Sequence, residues 1–239
     1  MLIDEPRSRT SGDGGKWVCD VAHIPRGNNQ CLVYSFGSHG NYAFERGISE
    51  RLQCEIHTFD PFTLGTKPLD DNIHTHPWGI SLKDHITAPL PWWKNERKTM
   101  KSLTSITKEL GHEGRVINVL KVDVDGIEFG IFDNDQFWES LDANRVVFNQ
   151  LLIEIHFEGI SADRFTPDFL TADGKKKLLN SGEDVDRILR VITSKGYALF
   201  HKEVNLAAND ACEYSFIKLD IDCAAFHRPT TSRQGQRLL

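Results

Sequence analysis

The sequence predicts an α/β fold, in which helices cover both faces of a mostly parallel seven-stranded sheet that ends in an antiparallel hairpin. Strand-like and helix-like segments alternate along most of the chain, as they do in proteins with parallel sheets. The segment NQLLIEIHF is apolar through much of its first half, as a buried central strand is. The last two strand candidates are joined by about ten residues without helical periodicity, and so short a link favours an antiparallel hairpin.

Seven segments rich in β-branched and aromatic residues predict the strands, and four segments with helical periodicity predict the helices. The strands are Cys31–Phe36, Glu55–Phe59, Ile73–His76, Val116–Val124, Gln150–Phe157, Tyr197–Lys202 and Glu213–Leu219. The helices are Tyr42–Leu52, Met100–Leu110, Phe129–Trp138 and Gly182–Ser194.

The helix Gly182–Ser194 has the clearest signals of the four. Its apolar residues recur at i, i+3, i+4 and i+7 from Val185, which predicts one buried face. Ser181 is a candidate N-cap with Asp184 at the third helical position, and Gly196 is a candidate C-terminal cap.

The chain is expected to form one domain with flexible ends. Residues 1–16 predict a flexible lead-in, residues 17–225 the domain, and residues 226–239 a flexible tail. The segment Leu64–Lys98 is crowded with proline and tryptophan, and it is predicted to be irregular apart from one short strand. Long irregular segments in compact domains are usually functional or mobile, so this segment is expected to form a wall or lid over a site.

Composition and charge argue against two classes of protein. The chain has a net charge of −6 and only one run of basic residues, Lys175–Lys177, so we expect no nucleic-acid partner. It has no apolar run of the roughly 20 residues that cross a bilayer. The first residues, MLIDEPRSRTSGDGG, lack an apolar leader core. We therefore expect a soluble, cytoplasmic protein, unless a leader has been trimmed.

The five cysteines lack the CxxC spacing of structural zinc sites. Cys31 and Cys54 lie in or beside apolar strands, which favours free buried thiols. A bridge between Cys19 and Cys31 stays open, and it would imply an oxidising compartment.

A ligand site is predicted where the first two strands end. Gly37 and Gly40 follow the first strand, where they can take positive φ and let the backbone approach a ligand closely. Asp60 stands at the tip of the next strand, where a ribose hydroxyl needs an acceptor. Together these residues predict a site for a nucleoside-containing cofactor.

Acidic residues follow a third strand in LKVDVDGIEF. Asp123 and Asp125 are two residues apart and share one face if the strand continues that far, and Glu128 begins the next helix. The carboxyl ends of parallel strands are where such sheets bind ligands. The alternative is that Asp125 or Glu128 only caps the helix.

Glu154 and His156 share a face of the following strand in the same way, so a carboxylate and an imidazole are available to accept a substrate proton. The alternative is a hydrogen-bonded pair with no chemical role. His74 and His76 form an HxH pattern, which is a weak metal signal, so we expect no metal site.

Seven short motifs in order resemble the FkbM-related methyltransferase-like domains. They are YSFGSHG, HTFDP, HPWG, LKVDVDGIEF, LLIEIHF, GYALFHKEVN and EYSFIKL, and the early GDGGKWVCD is similar to the lead-in of this group. The resemblance covers residues 12–219. It implies the Rossmann-like, seven-stranded class of enzymes that use S-adenosyl-L-methionine, and in these relatives O-methylation is common.

The resemblance also implies roles for individual residues. The loop Gly37–Ser38–His39–Gly40 would lie under the methionine part of the cofactor, and Asp60 would accept the ribose hydroxyls, with Pro61 and Phe62 near the adenosine. Asp123 would lie beside the sulfonium or the substrate. Many such enzymes carry an acidic residue where Ser35 stands, so a hydrogen bond from Ser35 would replace it.

The sequence thus predicts an S-adenosyl-L-methionine-dependent methyltransferase that modifies a hydroxyl on a small molecule or sugar. Asp123, Glu154 and His156 are the candidate catalytic residues, with Glu128 as an orienting acid. Three alternatives remain. An NAD-dependent oxidoreductase would also use Asp60, but the G-x-G-x-x-G fingerprint is absent. A non-catalytic binding domain and a metal-dependent hydrolase complete the set.

Overall fold

A computed structural model describes residues 2–3, 16–27, 30–63, 70–88, 96–156, 181–205 and 211–219 of the chain. The strands are β1 (Leu2–Ile3), β2 (Lys16–Trp17), β3 (Leu32–Phe36), β4 (Glu55–Phe59), β5 (Ile73–His76), β6 (Trp78–Ile80), β7 (His85–Ile86), β8 (Thr99–Lys101), β9 (Val116–Val122), β10 (Val147–His156), β11 (Tyr197–Val204) and β12 (Ala211–Lys218). The helices are α1 (Ala43–Leu52), α2 (Leu103–Glu109), α3 (Glu128–Phe132), α4 (Asp135–Asn144) and α5 (Gly182–Ser194).

The main sheet has seven strands in the order β11-β12-β10-β9-β3-β4-β5. Its strands from β10 to β5 pair in parallel, and β12 pairs antiparallel with both β10 and β11. The predicted α/β fold, with its terminal hairpin, is therefore confirmed. Because β3, β4 and β9 are parallel, their carboxyl ends meet at one edge of the sheet.

Most predicted elements have the expected position, but one segment predicted as a single helix forms two helices. The segment predicted as Phe129–Trp138 forms α3 and α4, which are separated at Asn134. The side chain of Asn134 accepts a hydrogen bond from the backbone N–H of Gln136, so it caps α4 at its start. At α5 the predicted cap is present, since Ser181 and Asp184 form a reciprocal capping box.

The prediction that segment 64–98 contains only one short strand is wrong. Besides β5, this segment supplies β6 and β7, which join β8 in a three-stranded sheet of order β6-β8-β7. The strands are only two or three residues long, which is too short to show a period in the sequence. Gly79 and Ile80 of β6 line the cavity described below.

Apolar side chains fill both faces of the sheet. One cluster packs helices α2 to α5 against the sheet and includes Phe36, Phe59 and Phe132. A second cluster packs α1 against the opposite face and includes Val33, Ile48 and Ile56. Strands β3, β4 and β9 are thus covered on both sides, as parallel strands require.

The expectation of free thiols at Cys31 and Cys54 is wrong, because these residues form a disulfide. Cys31 immediately precedes β3 and Cys54 immediately precedes β4, and the register of these two strands pairs Leu32 with Glu55. The Cα atoms of the two cysteines lie 4.7 Å apart. The parallel register therefore determines the pairing, and a bridge from Cys19 to Cys31 is excluded because Cys19 is free.

Several predictions concern residues outside the described ranges. They include the flexible tail, most of the lead-in, the Lys175–Lys177 run, and parts of the wall or lid segment. Within the described ranges, no helix is both long and apolar enough to cross a membrane.

Candidate active site

A cavity of about 440 Å³ opens where the carboxyl ends of β3, β4 and β9 meet, and its size suits a small-molecule cofactor. The loop after β3 contributes Gly37, Ser38 and His39 to its lining, and the segment after β4 contributes Asp60, Pro61 and Phe62. The segment after β9 contributes Asp123, Val124 and Asp125. Tertiary structure thus brings together the three motifs that the sequence predicts for the site.

Gly37 is required by the close approach of the chain that follows β9. Its φ is +79°, and an ideal β-carbon at this position would lie 1.6 Å from the carbonyl oxygen of Asp123. Any side chain here would push apart the two loops that line the cavity. Gly40 also has positive φ but is absent from the cavity lining, so its contribution is to the turn.

The carboxylate of Asp60 is buried at the cavity wall. One oxygen accepts the backbone N–H of His39 at 2.5 Å, and the other accepts the backbone N–H of Phe62 at 2.7 Å. Asp60 therefore joins the glycine loop to the segment after β4. Each carboxylate oxygen retains acceptor capacity for a ligand hydroxyl.

Ser35 does not line the cavity, but it contacts a residue that does. Its hydroxyl donates to Oε1 of Glu45, in the first turn of α1, at 2.5 Å. The other carboxylate oxygen of Glu45 is buried without a hydrogen-bond partner among the described residues. Glu45 was missed by sequence reasoning because a charged residue in a first helical turn is usually a solvated dipole partner. Here its carboxylate lines the cavity beside Ser35.

Asp123 lies between two ammonium groups. Its carboxylate is 3.4 Å from Nζ of Lys16 and 3.6 Å from Nζ of Lys121, and the Lys121 ammonium also donates to the carbonyl of Gly37. Burial alone would raise the pKa of Asp123, but the two ammonium groups lower it well below its ordinary value. Asp123 is therefore ionised at neutral pH.

Lys16 is the most deeply buried cation of the site, and sequence reasoning placed it at the end of a flexible lead-in. Its ammonium contacts Asp123, Glu154 and Glu213. Burial would lower the pKa of Lys16, but these carboxylates raise it, so the side chain stays charged. No local signal marks a lysine as a partner of residues more than 100 positions away.

Glu154 faces this lysine and does not line the cavity. One of its oxygens accepts from Lys16 at 3.1 Å, and the other accepts from the amide of Asn205 at 2.8 Å. Neighbouring Glu213 has its pKa raised to about 8 by burial, against the lowering effect of Lys16. These contacts describe an ion-pair network, and a catalytic role for Glu154 stays a prediction.

His156 lies between two acidic residues behind the cavity wall. Its Nδ1 is 3.4 Å from Glu128, and its Nε2 is 3.7 Å from Asp125. Burial would lower the pKa of His156, but Glu128 and neighbouring carboxylates raise it to about 9. The imidazole is therefore protonated at neutral pH. Glu128 also accepts the backbone N–H of Val124 at 2.9 Å, which fixes the turn before α3.

Residues 3–218 match the family described as "Methyltransferase domain", which is most of the chain. This chain belongs to that family. The cofactor is S-adenosyl-L-methionine. An NAD-dependent oxidoreductase is thereby set aside, whereas the finer FkbM-related assignment stays a prediction. No curated protein matches the methyltransferase domain closely enough to count as a relative.

Several solved structures are similar to the methyltransferase domain at low identity. Fibrillarin of Methanococcus jannaschii, a pre-rRNA processing protein, has 9% identity and a TM-score of 0.43, with 82% of this chain and 68% of that chain covered. A putative tRNA methyltransferase of Streptococcus pneumoniae in complex with S-adenosyl-L-methionine has 10% identity and a TM-score of 0.43, with 85% and 73% covered.

The expectation of no nucleic-acid partner is wrong. It relied on the absence of a basic patch, yet several similar structures are RNA methyltransferases by name. Net charge describes a whole chain and does not decide which acceptor reaches a cavity.

A second cluster of polar side chains lies along β4, outside the lining of the cavity. Glu55 begins β4, His57 follows two residues later, and His112 lies between α2 and β9. Burial lowers the pKa of His57 to about 4 and that of His76 to about 4, and burial lowers the pKa of His112 as well. The rings are therefore neutral at pH 7. Sequence reasoning considered only His74 and His76, because the other members come from separate elements.

Proposed function

We propose that the methyltransferase domain transfers a methyl group from S-adenosyl-L-methionine to the oxygen of a hydroxyl on a small molecule or sugar, as an FkbM-related enzyme. The observation that carries the proposal is one cavity lined by Gly37, Asp60 and Asp123. The carboxyl ends of parallel strands are the usual ligand site of such sheets.

The residues of the cavity fit the cofactor. Asp60 is the acceptor for the ribose hydroxyls, between Ser38–His39 on one side and Pro61–Phe62 on the other. The unpartnered oxygen of Glu45 offers an acceptor for a cationic group of the cofactor. When bound, the cofactor supplies a methyl group made electrophilic by a sulfonium cation.

Asp123 is proposed to hold the acceptor hydroxyl. Its carboxylate is ionised and lines the cavity, so it can accept a hydrogen bond from a hydroxyl donor. Lys16 and Lys121 restrict its orientation by their ion pairs. Correct alignment of a nucleophile lowers a barrier by roughly 7–11 kcal/mol, so positioning is the larger contribution of these residues.

His156 is proposed to take up the hydroxyl proton by way of Asp125, which lines the cavity 3.7 Å from Nε2 of His156, with Glu128 orienting the ring. A general base adds about 10² to 10⁴ in rate. Because the pKa of His156 is raised to about 9, the neutral ring that accepts a proton becomes abundant only at alkaline pH. Turnover is therefore expected to rise with pH up to about 9. Turnover that stays constant from pH 6 to pH 9 would remove His156 from this role.

Cofactor binding is tested first, by calorimetry with S-adenosylhomocysteine. Asp60→Ala is expected to weaken binding more than tenfold, whereas Asp71→Ala, at an exposed position, keeps the wild-type affinity. Unchanged affinity in Asp60→Ala would remove Asp60 from the site.

The acceptor is identified by transfer of a labelled methyl group to a panel of sugars, small alcohols, phenols and RNA oligonucleotides. We expect labelled ether products from the small hydroxyl compounds. Asp123→Asn and His156→Ala are expected to lower turnover far more than cofactor affinity. Label found only on a nitrogen atom, or only on RNA, would contradict the proposed acceptor.

The disulfide between Cys31 and Cys54 supports an oxidising compartment in place of the expected cytoplasmic location, because such bonds persist outside reducing compartments. Thiol quantification on the protein from its native source tests this point. Free thiols at both residues would support the cytoplasm.

A further inference from the structure

The cluster of Glu55, His57 and His112 has the donor types of a transition-metal site. Oε1 of Glu55 lies 3.1 Å from Nε2 of His57 and 3.1 Å from Nε2 of His112. All three atoms lie within 4.8 Å of one another. We propose that Glu55, His57 and His112 bind one Zn²⁺ ion, at a site separate from the cofactor cavity.

The spacing of the donor atoms is close to what zinc requires. Zinc takes imidazole nitrogen and carboxylate oxygen at about 2.0–2.2 Å in tetrahedral geometry, which sets neighbouring ligand atoms about 3.3 Å apart. The two oxygen-to-nitrogen distances of 3.1 Å are within a few tenths of an ångström of that value. A small outward rotation of the His57 and His112 rings admits the ion.

Each donor also has an outer partner that fixes its orientation, as in established zinc sites. Nδ1 of His57 is 2.9 Å from Nε2 of His76, and Nδ1 of His112 is 2.7 Å from the hydroxyl of Tyr34. When these Nδ1 atoms carry the ring protons, both Nε2 lone pairs are left for the ion.

The carboxylate of Glu55 is held in the same way. Its Oε2 accepts from Arg115 at 2.7 Å, which leaves Oε1 as the single metal ligand. Three protein ligands leave a fourth position for water. His74 is exposed beside the cluster, its ring centroid 4.9 Å from that of His57, so an ion can enter from solvent on this side.

The site lies along β4, outside the lining of the cofactor cavity. Asp60 follows the last residue of the strand, so it is five residues, or about 16 Å, from Glu55 and three residues, or about 10 Å, from His57. The other group of metal-ligand type, formed by Asp123, Glu154 and His156, already contains the ammonium of Lys16. Zinc at Glu55 therefore would not compete with methyl transfer, and it would stabilise the domain because the three ligands meet only in the folded state.

The test uses untagged, chelator-treated protein titrated with ZnCl₂ alone by calorimetry. We expect one ion per chain and a higher melting temperature in its presence. His57→Gln and His112→Gln are expected to weaken zinc binding more than 100-fold. His23→Gln, at an exposed histidine that pairs with Asp20 and is not a member of the cluster, is expected to bind zinc as the wild type does.

Glu55→Gln provides a second test if either histidine variant fails to fold, because an amide can keep the hydrogen bond from Arg115 while losing the anionic ligand. Circular dichroism verifies that each variant is folded. No zinc binding by the wild type would overturn the proposal and leave a purely hydrogen-bonded cluster. Equal binding by the wild type and the three cluster variants would overturn it as well, because the ion would lie elsewhere.

Discussion

The carbonyl oxygen of Asp123 lies against the α-carbon of Gly37, so closely that a β-carbon on Gly37 would be 1.6 Å from it. This contact joins the loop after β3 to the segment after β9. Both segments line the cofactor cavity, so the shape of the cavity depends on the absence of one side chain.

Gly37→Ala is expected to lower the free energy of unfolding by at least about 2 kcal/mol more than Gly114→Ala does. The two glycines have φ of +79° and +78°, so the strain of a left-handed alanine is shared, but nothing lies within 4 Å of a β-carbon at Gly114. Urea denaturation of both variants measures the difference. Equal losses of stability in the two variants would show that the loop after β3 and the segment after β9 can move apart at no cost in free energy.

Lys16→Met is expected to destabilise the domain by about 3–5 kcal/mol, because it leaves buried carboxylates without their cation. Asp123, Glu154 and Glu213 would then face one another. Arg190→Met breaks an exposed, solvent-screened ion pair with Asp186 and is expected to cost far less.

The penalty of Lys16→Met should also shrink as pH falls from 7 to 5, because Lys16 holds the pKa of Asp123 low, and without this lysine the buried Asp123 carboxyl is protonated more readily. Denaturation of the wild type and of Lys16→Met at pH 7 and at pH 5 measures this penalty. A penalty that does not change with pH would point to lost packing of the lysine chain instead.

His156 is expected to make stability depend on pH. Its pKa is raised from 6.5 to about 9 on folding, which corresponds to about 3 kcal/mol. A raised pKa means that the folded state holds the proton more tightly, so this stabilisation is complete below pH 6.5 and lost as pH rises through 9. The stability difference between wild type and His156→Gln should therefore narrow over this range. A difference that stays constant from pH 6 to pH 9.5 would contradict the raised pKa.

Loss of the Cys31–Cys54 disulfide is expected to lower stability by about 3 kcal/mol, since the bond closes a loop between residues 23 positions apart. Cys54→Ser removes the bond, and Cys19→Ser serves as the control because Cys19 is a free thiol. Thermal unfolding with and without dithiothreitol measures the effect. Wild type that responds to dithiothreitol no more than Cys54→Ser does would show that the bond is absent.

The seven strands of the main sheet, the hairpin, and the positions of Gly37, Asp60 and Asp123 could all be predicted from the sequence. Each of these is a local signal: a period of two or of 3.6 residues, or a turn residue at a strand end. Strands of two or three residues are too short to carry such a period, and for this reason the small sheet of β6, β7 and β8 was not predicted.

Which distant residues share an environment depends on how the whole chain folds. Lys16 contacts Glu213, which is 197 positions away in the sequence, and Glu55 contacts His112, which is 57 positions away. The local sequence around either residue does not indicate its partner. The pairing of Cys31 with Cys54 likewise follows from the register of two parallel strands, which packing of the whole sheet sets. Local periodicity predicts which face of a strand or helix a residue occupies. The protonation of its side chain and the ligands it can bind depend on the residues that pack against that face.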